Sequence, residues 1–449
     1  MKNKKNIELA LGINSTMTAN CRQTGEFWAR NLSSAFQTSY CAKTDFLGTA
    51  SNANFYLEKG ISLGIDLKTV LSEYQNKIYP AMQETFGSPS DIDGSGKIDI
   101  VFLDIRDGST SSSSFVAGFV DPINFQLDQM GSAVRSNQRE VIYIDAKELI
   151  ELRNKDLSSG RPDIFFATIA HEYQHLIRYQ YGLGTDDIWI DEGTSETASD
   201  IAGYGAQISR IECYRGAGKA NCSGGIAGES LVNWNNTLKN YSYGYAFMNF
   251  IYFSSSQNDS GRKNFLKNTL KGFSGSRGDS MNSLMKIFKY SDNYRSDLLG
   301  TSEKAMAEKM LGIFLGQSIG YTSFSTVYRA NQSGTSESWQ SAADYYRLPQ
   351  TLSGLYTPSP MSLRTAPSAF IASATQAFRY SGDVASVNSS DPDVTAVKSQ
   401  NEFLLFNGSF SAVSPTKSRS ASEPFLHKCY SGELIRQEVM EAKSYKLLK

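Results

Sequence analysis

The sequence predicts an α+β fold in which a mixed sheet in the N-terminal half precedes a helical half and an additional β-rich domain. Strand-like apolar runs lie at 98–105 and 140–146, ahead of the long helical stretches. Helical patterns then dominate from about residue 163 to residue 317. Beyond about residue 334, short β-like runs such as 403–413 alternate with turns rich in Ser, Pro and Asp. These observations separate a mixed main domain from a small β domain.

The chain of 449 residues is long enough for more than one domain, and changes in residue composition and pattern divide it into segments. They are an irregular N-terminal segment, a main domain, a β-rich domain and a charged tail: 1–55, 56–335, 336–415 and 416–449. Within the main domain, an apolar stripe predicts a helix from Asp66 to Phe86. Start and stop signals predict a buried helix over 163–181, and a second helix follows over 190–205.

The composition is that of a globular protein, with 40% hydrophobic and 20% charged residues. Lys and Arg total 44 and Asp and Glu total 45, so there is no basic excess for binding phosphate groups. No apolar run approaches the length that spans a bilayer. We therefore expect neither a nucleic-acid partner nor a transmembrane segment.

The five cysteines allow two disulfides and one unpaired thiol. Cys213 and Cys222 flank a Gly-rich loop and form one candidate pair, and Cys21 with Cys41 forms a second, which leaves Cys429 unpaired. Two disulfides favour a secreted or cell-surface bacterial protein, although an export signal is not evident in this chain. Five free thiols in a cytosolic protein are the alternative.

The motif HEYQH, from His171 to His175, carries the strongest chemical signal. Positions i and i+4 of a helix share one face, so both imidazoles can bind one metal ion, and zinc suits such ligands. The chain has only 3 histidines, and two of them fall in this motif. Glu172 follows the first ligand directly and can take a proton from water beside the metal. A helix that reads HExxH by chance is the alternative.

The segment WIDEGTSETASD, from Trp189 to Asp200, offers a third ligand. Glu192 follows the motif after a short turn, so a second helix can bring its carboxylate to the metal. Glu196 and Asp200 lie one and two turns further on. Because a metal-bound histidine usually donates its other N–H to a carboxylate, we assign Glu196 to His171. A solvated acidic helix face is the alternative for Glu196 and Asp200.

These residues resemble those of the gluzincin metallopeptidases, in which HExxH is followed by a glutamate on the next helix, as in thermolysin-like enzymes. HEYQHLI together with WIDEGTSE most resembles the hyicolysin family of bacterial zinc metallopeptidases, and DIDGSGKIDIVFLDI is also similar. The resemblance covers about 163–205 strongly. It implies a zincin-like fold and Zn²⁺ held by His171, His175 and Glu192.

YSYGYAF, from Tyr241 to Phe247, is similar to a Tyr-x-x-Gly segment of aminopeptidase N-type enzymes, whose tyrosine hydroxyl stabilises the oxyanion. The resemblance implies this role for Tyr241, with Tyr243 or Tyr245 as alternatives if the register differs. An aromatic helix that only packs in the core is a further alternative. The chain lacks the Gly-x-Met-x-Asn motif of those aminopeptidases, and this favours an endopeptidase.

The strand EVIYIDA, at 140–146, lies shortly before the metal helix. In zincin-like folds an edge strand at this place pairs with the extended substrate, so we expect this strand at the edge of the sheet. An ordinary internal strand is the alternative.

The segment DIDGSGKID resembles a calcium loop of EF-hand type. Its oxygen ligands would be Asp91, Asp93, Ser95 and Asp99, with Phe102 standing where that loop has a bidentate Glu. A plain turn capped by aspartates is the alternative to a Ca²⁺ site.

Together the motifs and the resemblance imply a zinc-dependent endopeptidase that acts on protein or peptide substrates, with Glu172 as general base. Two other functions compete with it. One is a surface binding or adhesion protein on an inactive peptidase fold, and the other is a zinc hydrolase of non-peptide substrates.

Overall fold

The computed structural model describes residues 21, 23–33, 37–109, 115–182, 186–214, 216, 222, 231, 234, 236–318, 324–329 and 336–347, and the backbone of five short strands beyond them. The predicted irregular segment therefore lies outside the described residues up to position 20. The chain forms two compact units. The first consists of Met1–Gly184, Ala198–Gly205 and Phe425–Lys449, and the second of Thr185–Thr197 and Ala206–Pro424.

The first unit contains a mixed sheet of 7 strands. In chain order the strands are β1 (Glu26–Arg30), β2 (Ser39–Ala50), β3 (Ala53–Glu58), β4 (Ile98–Leu103), β5 (Phe115–Phe119), β6 (Val141–Asp145) and β13 (His427–Cys429). Their order in the sheet is β1-β2-β3-β4-β6-β5-β13. β3, β4 and β6 run parallel, and every residue of β4 is buried, as expected for a parallel strand covered on both faces. The expected N-terminal mixed sheet is present.

The helices of the first unit are α1 (Leu67–Glu73), α2 (Tyr79–Thr85), α3 (Glu148–Ser158) and α4 (Ile164–Gly182). A π-helical turn, Tyr74–Ile78, joins α1 to α2, so the predicted helix runs through without a break. It begins at Asp66, whose side chain accepts the N–H of Thr69. The buried part of its apolar stripe consists of Val70, Tyr74, Ile78, Met82 and Phe86. A second π-helical turn, Asp200–Tyr204, follows helix α5 (Ile188–Ser199).

The prediction that the strand at 140–146 lies at the sheet edge is wrong. β6 is internal, because β4 pairs with it in parallel on one side and β5 pairs with it antiparallel on the other. β5 follows a serine run and is only 5 residues long, and it did not stand out as a strand in the sequence. β13, within the predicted charged tail, pairs in parallel with β5.

The second unit is largely helical between residues 208 and 345. After α5, its helices are α6 (Ile208–Tyr214), α7 (Leu238–Ser255), α8 (Asp259–Lys271), α9 (Met281–Phe288), α10 (Ser296–Leu299), α11 (Glu303–Ser318) and α12 (Gln340–Tyr345). Its sheet of 6 strands contains β7 (Thr326–Arg329), β8 (Ser336–Glu337), β9 (Arg364–Thr365), β10 (Val384–Asn388), β11 (Asp391–Ser399) and β12 (Glu402–Asn407). The protein is thus α+β with a helical middle. A separate β-rich domain at 336–415 stays a prediction.

Both expected disulfides are present, Cys21–Cys41 and Cys213–Cys222. The side chain of Cys429 lies outside the described residues. Among the helices that the structure describes, none combines the length and apolar character needed to cross a membrane.

Candidate metal centre

Helix α4 carries the HEYQH motif and is held at its start and in its middle. Asp163 accepts the N–H of Phe165 at 3.2 Å and forms an ion pair with Arg153 at 2.8 Å. In the middle of the helix, the hydroxyl of Tyr173 accepts hydrogen bonds from Asn52 Nδ2 at 2.9 Å and Gln83 Nε2 at 3.2 Å. Because Tyr173 is inside the motif, these bonds set the direction in which its neighbours project.

The two histidines of the motif face each other on α4. Each is only 2% exposed, and their Nε2 atoms are 3.0 Å apart. Two nitrogen ligands at about 2.0–2.1 Å from a tetrahedral zinc ion would lie about 3.3 Å apart. The spacing of His171 and His175 is therefore close to that of two ligands of one ion.

Glu192 lies in helix α5 and is fully buried. One ligand atom from each of His171, His175 and Glu192 lies within 4.8 Å of the others. Two imidazole nitrogens and a carboxylate oxygen form a donor set that fits zinc in a catalytic site. The three residues could hold a metal ion.

The sequence is also similar to that of a known metalloprotease. The chain is 30% identical over 224 residues to the neutral metalloprotease ShpI of Staphylococcus hyicus. The aligned residues are 48% of this chain and 47% of that protein, so the chain spans about half the length of the curated relative it matches. No family model matches the chain. The similarity supports a relationship to metalloproteases and leaves the hyicolysin family as a finer proposal.

Close packing of glycines positions helix α5. A Cβ atom added to Gly193, next to Glu192, would lie 2.8 Å from the carbonyl oxygen of Gly244 in α7 and 3.0 Å from Cβ of Met248. At its other end, Ser199 Oγ donates to the carbonyl oxygen of Ala167 at 2.9 Å. α5 therefore approaches α7 more closely than a side chain at Gly193 would allow.

Glu172, the predicted general base, is fully buried. A Cβ atom added to Gly118 in β5 would lie 3.0 Å from its Cγ and 3.0 Å from the carbonyl oxygen of Tyr143. The absence of a side chain at Gly118 is thus what lets β5 pass beside Glu172. Sequence reasoning missed Gly118, because nothing in the sequence links it to Glu172 in a later helix.

Glu196 forms a buried ion pair that the sequence did not predict. Its Oε1 accepts a hydrogen bond from Arg210 Nε at 2.7 Å and lies 2.6 Å from Arg210 Nη2, and both side chains are nearly inaccessible. Arg210 therefore helps to fix the carboxylate that we assigned to His171. Asp200 is half-buried and lies in the π-helical turn, just beyond the end of α5.

The three candidate tyrosines lie in α7 and are fully buried. The hydroxyl of Tyr241 donates to Asn236 Oδ1 at 3.1 Å, and its ring packs against Trp234. The hydroxyl of Tyr245 accepts the N–H of Gln207 at 3.0 Å. These contacts give Tyr241 and Tyr245 packing roles, and an oxyanion role for any of the three stays a prediction.

The predicted calcium residues are brought together only in part. Asp91 and Asp93 come together with Glu140, a residue that sequence reasoning missed. The hydroxyl of Ser95 donates to the carbonyl oxygen of Lys97 at 3.1 Å. Asp99 instead forms an ion pair with Arg139 at 3.0 Å.

Proposed function

We propose that this protein is a zinc-dependent endopeptidase whose ion is bound by His171, His175 and Glu192. The observation that carries the proposal is the convergence of two facing imidazoles with a buried carboxylate within 4.8 Å. The similarity to a neutral metalloprotease over 224 residues supports the same reaction. Peptide bonds are therefore the proposed substrate.

Glu172 is the proposed general base. When bound, zinc supplies Lewis-acid chemistry, which polarises a carbonyl group and makes water more acidic. The carboxylate of Glu172 takes the proton of the attacking water and delivers it to the nitrogen of the leaving amine. The buried position of Glu172, beside His171 and against β5, suits a base that works away from bulk water.

The neighbouring residues have supporting roles in this proposal. Glu196, held by Arg210, keeps His171 in the tautomer whose Nε2 can bind the ion. Asp200 is a further acidic residue that, with Glu196, supports the metal ligands in this proposal. A tyrosine hydroxyl of α7, with Tyr241 as first candidate, donates to the oxyanion that forms during attack.

The finer classification is also a proposal. We place the protein in the hyicolysin family, with a thermolysin-like catalytic domain at 56–335 and a separate β-rich domain after it. We propose a secreted or cell-surface location, and the two disulfides support an oxidising compartment.

The test measures bound metal by mass spectrometry and casein cleavage on the same sample, with and without a chelator. We expect one zinc ion per chain and cleavage that the chelator abolishes. Glu172→Gln should keep the zinc and lower kcat by about 10²–10⁴-fold, the usual contribution of a general base. His175→Ala should lose the metal.

The matched control is Glu151→Gln, the same chemical change at an exposed position of α3, which should leave cleavage unchanged. A fully active Glu172→Gln protein would contradict the assigned base. Zinc without casein cleavage would favour the binding-protein function, and cleavage of esters but not casein would favour a non-peptide hydrolase.

A further inference from the structure

The loop before β4 folds around two aspartates. Asp91 Oδ1 accepts the N–H of Gly96 at 2.9 Å, and Asp93 Oδ1 accepts the N–H of Ser95 at 2.9 Å. Gly94 and Gly96 have φ angles of +71° and +65°, which an L side chain rarely adopts. The loop thus turns back on itself and presents two carboxylates on one side.

A third carboxylate, that of Glu140, meets this pair from the residue just before β6. Glu140 is 1% exposed, and its Oε1 accepts hydrogen bonds from Ser90 Oγ at 2.6 Å and the N–H of Ile92 at 3.0 Å. Its other oxygen, Oε2, is buried and has no hydrogen-bond partner among the residues that the structure describes. One ligand atom each of Asp91, Asp93 and Glu140 lies within 4.8 Å of the others.

A buried carboxylate oxygen without a partner is costly unless a cation satisfies it. Burial raises the pKa of Glu140, and the nearby charge of Asp93 adds to the effect. A divalent cation would remove both penalties, because it would bind the buried oxygen and offset the repulsion between the carboxylates.

We propose that Asp91, Asp93 and Glu140 bind a calcium ion. Three carboxylates and no nitrogen or sulfur donor favour a hard cation over zinc. The sequence motif had Phe102 where a calcium loop has its bidentate glutamate, and Glu140 supplies that carboxylate from the residue before β6. Asp99 is not one of these ligands, since it pairs with Arg139 and accepts a hydrogen bond from Asn54.

The ion would join the loop to the central sheet. Glu140 already contacts the start of the loop through Ser90 and Ile92, and its carbonyl oxygen accepts the N–H of Asp99 in β4 at 2.8 Å. A cation between Glu140 and the two aspartates would close the remaining side of the loop. The site therefore stabilises the first unit and uses none of the proposed zinc ligands.

The experiment titrates the zinc-saturated full-length protein with CaCl₂ by calorimetry and follows its thermal melting, with MgCl₂ and KCl as comparison salts. We expect one calcium ion per chain and a saturable rise in Tm that MgCl₂ does not reproduce at the same concentration. Glu140→Gln keeps an oxygen for Ser90 and Ile92 but loses the charge, so its calcium Kd should rise at least tenfold. Asp93→Asn, at an exposed position, should have a similar effect without disturbing the core.

The matched control is Asp45→Asn, the same change at an exposed surface ion pair with Lys59. It should bind calcium like the wild type. Absence of calcium binding in the wild type would overturn the proposal, and so would an unchanged Kd in both Glu140→Gln and Asp93→Asn. An equal effect of MgCl₂ would show general screening of acidic charge and would also overturn it.

Discussion

At Gly118, beside the proposed base, the structure leaves little space for a side chain. A methyl group there would lie 3.0 Å from Glu172 Cγ, 3.0 Å from the carbonyl oxygen of Tyr143 and 3.1 Å from Ile144 Cδ1. Two of these neighbours belong to a buried strand, so Glu172 is the one that can move. Gly118→Ala should therefore shift the carboxylate while leaving the two histidines in place.

We expect Gly118→Ala to lower kcat for casein by about 100-fold, because misplacing a catalytic group by about 1 Å can cost that much. The bound zinc should stay at one ion per chain, which separates a displaced base from a lost metal site. Val116→Ala, a change in the same strand at a side chain that packs against the hydrophobic cluster of Phe27 and Tyr143, is the control. Wild-type kcat in Gly118→Ala would show that this contact does not position the base.

The residues of the candidate centre differ in how far the sequence could predict them. His171, Glu172 and His175 follow from one helical motif, because the spacing of i and i+4 places both imidazoles on one face wherever the helix lies. Arg210 and Glu140 could not be predicted in this way. Arg210 contacts Glu196, and Glu140 contacts the loop of Asp91 and Asp93, only in the folded protein. Neither residue lies in a sequence motif that identifies these partners.

At the scale of elements, α4 owes its orientation to a hydrogen-bond network with the β2–β3 turn. Asn52, in that turn, donates to the hydroxyl of Tyr173 at 2.9 Å and accepts from the hydroxyl of Tyr74 at 2.7 Å. One side chain thus joins the metal helix, the turn and the π-helical segment after α1. This network lies on the side of the motif that does not carry the histidines.

Asn52→Ala should destabilise the protein by about 1–3 kcal/mol, because it removes the acceptor of the Tyr74 hydroxyl and one of the two donors to the Tyr173 hydroxyl. Urea unfolding followed by fluorescence measures the loss. Asn76→Ala removes an exposed side chain that donates a hydrogen bond to Ser72 Oγ, and it serves as the control. Equal stability of Asn52→Ala and Asn76→Ala would contradict a structural role for the network.

The order of the strands in the first sheet was harder to predict than the strands themselves. The apolar runs of β4 and β6 identify both strands, but both faces of each are buried and no polar alternation marks a sheet position. β5 is short, contains Gly118 and follows a serine run, so its signal is weak. Its pairing with β6 makes β6 internal, and only the tertiary structure shows this.

At the scale of the whole molecule, each compact unit contains one disulfide. Cys21–Cys41 lies in the first unit and joins residues 20 apart, whereas Cys213–Cys222 lies in the second and joins residues 9 apart. Both pairs followed from the sequence, because short spacing around a Gly-rich loop limits the possible partners of Cys213. The division into units did not follow, since the second unit contains both the helical middle and the later sheet.

The loop lengths predict unequal contributions to stability. Each disulfide reduces the entropy of the unfolded chain, and the resulting stabilisation at 25 °C is about 3.3 kcal/mol for Cys21–Cys41 and about 2.6 kcal/mol for Cys213–Cys222. Cys21→Ser with Cys41→Ser should therefore lower the free energy of unfolding more than Cys213→Ser with Cys222→Ser. Urea unfolding of both double variants without reductant measures the difference, and the wild type with reductant should lose at least as much as either.

Both losses are large beside a typical stability of about 5–15 kcal/mol. The folded protein would therefore be more stable in an oxidising compartment, where the disulfides persist. Unchanged stability of the wild type under reductant would remove this support for a secreted or cell-surface location.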